Sequence, residues 1–318
     1  MKESLFSRIK LFIAKHKILP WCLALSVYGF LILATSLSKF LPLKPIPILH
    51  PNKSSSIAPK DPYGRDYLIG NLGGRPVRVL ASVSSSLMEY EDSPFFDLDK
   101  KKRIKLSERT YDSAISGFNF YLRYTDGVYY DLLNREISCQ FKKEHNQPGN
   151  AWMMVSISNA TGYYDPPHVL DRYLDGNLEN YPGKPKEFPY ITYEKMLNKQ
   201  FGLDVYIVPG IDPKTNLPYR KDRSIDDVFV HRNTHGNIDT YIKCFNGNVL
   251  RPPCGHDFMI LQEDMKLKVS LSYNRQILPY WQEIQATAKE AVLRFDIKNP
   301  IHAVWAQQQN IPKICTQQ

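Results

Sequence analysis

Past residue 38 this sequence has no hydrophobic run long enough to cross a bilayer a second time, and neither sign of charge dominates. It has no Gly-x-Ser-x-Gly elbow, no Walker-type loop and no His-Glu-x-x-His, which removes the linear signatures of an α/β esterase, a P-loop enzyme and a zinc protease. Ser36-Leu-Ser-Lys39 matches Ser-x-x-Lys by letters alone, and the Gly183-Lys184 step in 181–186 is flanked by prolines that preclude a phosphate cradle. No internal repeat is present. The five cysteines form no paired clusters at metal-ligand spacing. Nothing here predicts a catalytic residue, a metal or a cofactor.

What the chain does have is an address. Residues 18–38 run for 21 positions without a charge, about 30 Å as a helix, which matches a bilayer's hydrocarbon core. Lys2, Arg8, Lys10, Lys15 and Lys17 precede the run against Glu3 alone. Such a flank predicts a cytoplasmic N-terminus (1–17), an uncleaved signal anchor (18–38) and export of the remainder. The alternative is a signal peptide cut near Ala34-Thr-Ser36, although its apolar core is longer than the usual ~7–15 residues. The formal charge of +9 is therefore partly a topology signal. The first 17 residues supply +4 and leave +5 for the rest, too diffuse for a nucleic-acid groove.

Residues 39–62, with prolines at 42, 45, 47, 51, 59 and 62, read as a polyproline-rich spacer. Residues 63–297 carry a globular pattern, long enough for one domain or two subdomains, and 298–318 read as a tail. Strands are predicted at 75–83, 118–124, 152–158, 203–208, 227–231, 238–245, 258–261 and 265–273. In the last, Met265, Leu267, Val269, Leu271 and Tyr273 alternate with Lys and Ser. Ile277, Trp281, Ile284, Ala288, Ala291 and Phe295 then recur at steps of three to four and predict a closing helix. The expected class is α+β, antiparallel sheet with a C-terminal packing helix. Residues 163–190, rich in Pro, Tyr and Asp, read as a long ordered loop.

Cys244 ends one predicted strand and Cys254 follows a turn-rich loop before the next. In an oxidising compartment a 244–254 disulfide is the default reading. Metal ligation with His256 and free or otherwise paired thiols are the alternatives, and Cys139 with Cys315 is a further pairing the spacing leaves open. His231 and His235 stand four apart, but Asn233 and Gly236 mark a hairpin turn rather than a ligand-bearing helix. Asp226-Asp227 and Glu263-Asp264 sit at strand ends, positions typical of turns and solvated charge.

The segment 89–99 holds Glu89, Glu91, Asp92, Asp97 and Asp99 around Tyr90, Phe95 and Phe96. Rings mixed with charge suit a protein-recognition surface, the rings supplying contact area and the carboxylates steering a basic partner. The competing reading is a solvated loop whose Phe residues tuck into the core.

Taken in order, 75–94 (RPVRVLASVSSSLMEYEDSP), 108–124 (ERTYDSAISGFNFYLRY), 200–213 (QFGLDVYIVPGIDP), 227–232 (DVFVHR) and 278–295 (LPYWQEIQATAKEAVLRF) resemble membrane-anchored envelope proteins of Gram-negative bacteria grouped with the immunity proteins of type VI secretion lipase effectors. The resemblance implies a non-enzymatic periplasmic domain, held at the inner membrane, that binds and neutralises a secreted toxin. A structural or accessory subunit of an envelope complex, or an envelope hydrolase assembled from loops, would share the same features.

Overall fold

Strand β12 (Met265–Asn274) shows how the fold is built. Its odd-numbered side chains, Met265 through Tyr273, are all buried, as the strict alternation requires of a strand with one face on a core. The computed structural model describes residues 57–86, 88–92, 108–178, 192–222 and 225–298, all within the unit Asn52–Gln318. The predicted membrane segment 18–38 and the tail 299–318 lie outside the described residues. Among the described residues no helix is long and apolar enough to cross a membrane.

Twelve strands of the described residues form one sheet. They are β1 (Leu68–Leu72), β2 (Arg75–Val79), β3 (Glu89–Tyr90), β4 (Ala114–Arg123), β5 (Val128–Tyr129), β6 (Trp152–Asn159), β7 (Glu194–Lys195), β8 (Asp204–Ile207), β9 (Asp226–Arg232), β10 (Ile238–Phe245), β11 (Pro253–Gln262) and β12. The spatial order is β2-β1-β4-β6-β12-β11-β10-β9-β8-β7, with β3 and β5 also pairing with β4. The expectation of an antiparallel sheet needs one correction. Asn71↔Ala114 and Leu72↔Ile115 pair β1 with β4 in parallel, so the sheet is mixed. Ile115 pairs with both β1 and β3, and Gly117 and Leu122 pair with β6 as well as with β3 and β5 respectively, so β3 and β5 share one edge of β4 while β1 lies on the edge that β6 continues.

The main face is sealed by α3 (Trp281–Leu293), which follows a 3₁₀ stretch, Arg275–Tyr280, that contains Pro279. All six residues of the predicted stripe, Ile277 to Phe295, are buried. Phe295 stands perpendicular to Phe120 at a centroid distance of 5.4 Å and lies 5.6 Å from Phe118. The Tyr129 hydroxyl donates to the Ala291 carbonyl at 2.7 Å. Just beyond the helix, Arg78 N–H donates to Phe295 O (2.9 Å) and Ile297 N–H to Pro76 O (3.1 Å). The buried Asp296 carboxylate takes Arg75 at 2.7 Å. The last element thereby binds the first hairpin, whose turn leaves no choice of residue. Gly73 and Gly74 both have positive φ, and a Cβ on Gly73 would meet Lys266 O at 2.6 Å.

Two helices cover parts of the second face. Helix α1 (Arg135–Glu144) starts at Asn134, whose side-chain oxygen accepts from the N–H groups of Glu136 and Ile137; Glu136 in the first turn and Lys142 and Lys143 in the last suit the helix dipole. Its Phe141 packs on Tyr121, Tyr130 and Trp152. Helix α2 (Val169–Leu178) lies within the segment expected to be a loop. Leu170 and Leu174, one turn apart, pack with Tyr206, Val228, Val230, Ile238 and Tyr241. Pro166 and Pro167 sit in the preceding 3₁₀ turn, where a missing N–H costs nothing.

Cys244 and Cys254 face each other across β10 and β11 and are joined, with Cα atoms 4.1 Å apart. The 244–254 bridge of the sequence reading is therefore present. It closes a separation of 10 residues, worth about 2.7 kcal/mol in the loop-entropy account. Replacing both cysteines by serine is expected to lower the melting temperature of the full chain by about 5–10 °C. Thermal denaturation followed by circular dichroism checks this, with reductant on the unmodified chain giving at least the same fall.

Candidate functional site

The described part of the acidic segment is built around a buried tyrosine. Tyr90 is 2% exposed, and its hydroxyl donates to Ile69 O at 2.8 Å. Arg109 lies over the ring, its guanidinium carbon 3.9 Å from the centroid, and donates to both Asp92 oxygens at 2.7 and 2.9 Å. Burial pushes the Tyr90 phenol up to about 12. This ring belongs to the core and offers a partner no surface. Glu89 and Glu91 on either side are exposed. Asn159 donates to Glu91 at 2.9 Å. Phe95, Phe96, Asp97 and Asp99 lie outside the described residues. What the structure brings together is a small acidic rim, Glu89, Glu91 and Asp92, on backbone fixed from beneath by Tyr90.

His256 and Asp227, titratable groups inside the fold, are engaged in holding the sheet. His256, fully buried on β11, has Nε2 2.8 Å from Gln285 Oε1 of α3 and Nδ1 3.2 Å from the Tyr273 hydroxyl. Thr240 donates to the same Gln285 oxygen at 2.9 Å. Burial holds the imidazole down at about 4, so it is neutral and sealed from solvent. Asp227, predicted as a solvated strand-end charge, is 1% exposed. The pairing of β9 with β10 turns it inward, and two guanidiniums compensate it: Arg220 at 2.9 and 2.8 Å and Arg275 at 2.6 Å. Arg275 also donates to the carbonyls of Cys244 and Phe245. That cluster locks the end of β10 beside the disulfide. A charge this deep is tolerated only when paired.

His231 and His235 flank the β9–β10 hairpin, where Asn233 Oδ1 accepts from the N–H groups of His235 and Asn237. His231 pairs with Asp239 at 2.7 Å, and among the described residues no three His, Cys, Asp or Glu side chains gather as a metal site would need. Asp264 is exposed and paired with Arg75 at 2.5 Å.

No protein-family model matches the chain, and no curated protein matches it. Among solved structures it is similar to Smlt3025, described as an immunity protein of the Stenotrophomonas maltophilia type IV secretion system. Identity is 15%, the match covers 76% of this chain and 99% of that one, and the TM-score is 0.45. Likeness of that degree carries no argument about what this chain does.

His256 makes the fold sensitive to acid. Its folded pKa of about 4 lies below the unfolded value near 6.5, so the unfolded chain takes the proton first as pH falls. The stability that depends on a neutral imidazole is complete above pH 6.5, declines as pH drops, and is gone below pH 4, a loss of about 3 kcal/mol. Urea unfolding of the full chain and of His256→Gln between pH 7 and pH 4 measures it. The unmodified chain should lose about 3 kcal/mol more than the variant across that range.

Proposed function

We propose that this chain is a membrane-anchored periplasmic binding protein that neutralises a secretion-system toxin by direct contact, in the manner of the type VI lipase-effector immunity proteins its sequence resembles. The observation that carries the proposal is the acidic rim on fixed backbone. Glu89 on β3 and Glu91 in the turn just after it are exposed on either side of Tyr90, which is bolted into the core. Charge presented by a rigid support suits recognition, because little ordering entropy is lost on binding and opposite charge on the partner speeds encounter.

Other features support the same reading. The uncharged run 18–38 behind a basic flank suits an anchor that would hold the domain where an envelope toxin acts. A cystine within the sheet suits an oxidising compartment. The buried His256 and Asp227 serve structure.

The test is functional. Full-length protein made in cells that export the candidate toxin to the periplasm should restore growth, and the purified pair should form a stable complex. The double reversal Glu89→Lys, Glu91→Lys should slow association at least tenfold at low salt, with a smaller deficit at 0.5 M salt, since screening removes steering. Stopped-flow binding reads both. Protection that persists without any complex would refute the proposal.

A further inference from the structure

On the second face, where the C-terminal end of α1 meets the ends of β6, β11 and β12, lies a cavity of about 230 Å³. Tyr121, Trp152 and Met154 form apolar walls, and Ser272, Asn274 and Arg251 contribute polar groups. No carboxylate is among the lining residues. Glu144 is close by, but its Oε2 accepts from the Trp152 indole at 2.9 Å and faces Arg123 at 3.7 Å.

Asn274 is the decisive residue. It is 7% exposed, and strand parity puts it on the same face as Ser272. Its Oδ1 accepts from the Gln276 N–H at 3.0 Å and so caps the 3₁₀ stretch. That bond fixes the amide and turns Nδ2 the other way, where the N–H₂ has no acceptor. A buried donor left unpaired is destabilising, so the site favours an acceptor brought from outside. His145 Nδ1 at the same cavity is likewise buried without a partner. Arg251 is exposed and gives Nη1 to His145 O and Asn146 Oδ1, both at 3.1 Å. Both acceptors are neutral, which leaves the positive charge and the remaining N–H groups of the guanidinium open to a ligand.

We propose that this cavity receives the carboxylate side chain of a glutamate or aspartate on the protein partner. The inference rests on the binding function proposed above and names a second contact for it. The chemistry selects the class. Several donors, one full positive charge and no competing acid suit a carboxylate, and charge-assisted bonds to it are the stronger kind. The volume selects the source, because small-molecule sites usually run to roughly 300–1,000 Å³, whereas a single side chain is smaller. An acidic side chain seated between the aromatic walls and Arg251 would serve as an anchor residue of the interface. The protein then offers a partner two opposite electrostatic features, the Glu89–Asp92 rim and the Arg251–Asn274 cavity, and a partner satisfying both must carry base and acid at a set spacing.

The test needs no toxin. Full-length protein with ¹³C-methyl methionine, in detergent micelles, is titrated with acetyl-Gly-Glu-Gly-amide and with acetyl-Gly-Gln-Gly-amide. The Met154 methyl signal should shift to saturation with the glutamate peptide at about millimolar affinity, ordinary for one side chain. It should respond at least tenfold more weakly to the glutamine peptide. Arg251→Gln alters an exposed residue, and Asn274→Asp keeps the capping oxygen while replacing the unpaired donor by a repelling oxygen. Each should weaken glutamate binding at least tenfold with Met154 still in its folded position. Equal shifts from the two peptides, or unchanged binding in both variants, would overturn the proposal. Such a failure would leave the toxin-binding function standing, and loss of that function would leave the titration unaffected.

Discussion

The structure depends on the closure of one sheet face by its last helix. Twelve strands present a broad apolar surface, and α3 covers it with a stripe of residues at helical spacing that ends on Phe295 among Phe118, Phe120 and Tyr129. The same element is fixed at points far apart in sequence. Trp281 donates to Phe201 O at 2.9 Å, Thr287 to Tyr124 O at 3.0 Å, and the residues after the helix pair with β2. Phe201 keeps a left-handed φ of 53° beneath that indole bond, a cost of about 1–2 kcal/mol that the surrounding contacts offset. Since hydrophobic burial must outweigh the entropy of ordering long-range pairs, much of the sheet has no stable face until the C-terminal helix docks.

With the main face sealed, polar groups inside it have structural duties, and the features open to a partner lie elsewhere. His256 and Gln285 tie β11 to the helix; Asp227 and Arg275 tie β9 to the β10 terminus. The acidic rim stands on the short strand β3, at the edge of β4. On the second face, α1 and α2 cover the flanking strands, while β6 and β12 between them show serines at 156, 158, 270 and 272. A sheet rigid on one side and partly uncovered on the other is a sound base for recognition, because its contact groups are held before the partner arrives.

Some of this was legible in the sequence. The alternation of Met265 to Tyr273, the spacing of Ile277 to Phe295 and the placement of Cys244 before a turn-rich loop each express a local physical rule, and each agrees with the structure. Strand β11 was harder. Its first residues, Pro253 to Asp257, look like loop because Pro and Gly weaken strand propensity, yet the cross-strand pair with Cys244 carries them into the ladder. Helix α2 was hidden by the Pro, Tyr and Asp around it, though Leu170 and Leu174 with a proline-led first turn were a readable signal. The parallel β1–β4 pair, the inward turn of Asp227 and the burial of Tyr90 depend on neighbours distant in sequence. So does the unpaired Asn274 amide, which needs both the strand's parity and the direction of its cap.

The central claim is that this protein works by presenting preformed surface to a protein partner. Hydrogen–deuterium exchange of the full chain, with and without a purified candidate toxin, tests it most directly. The account predicts new protection at residues 88–92 and around 145–154 and 249–253, with the strands under α3 unchanged. Protection confined to other surfaces, or a loosening of β10 to β12 on binding, would contradict it.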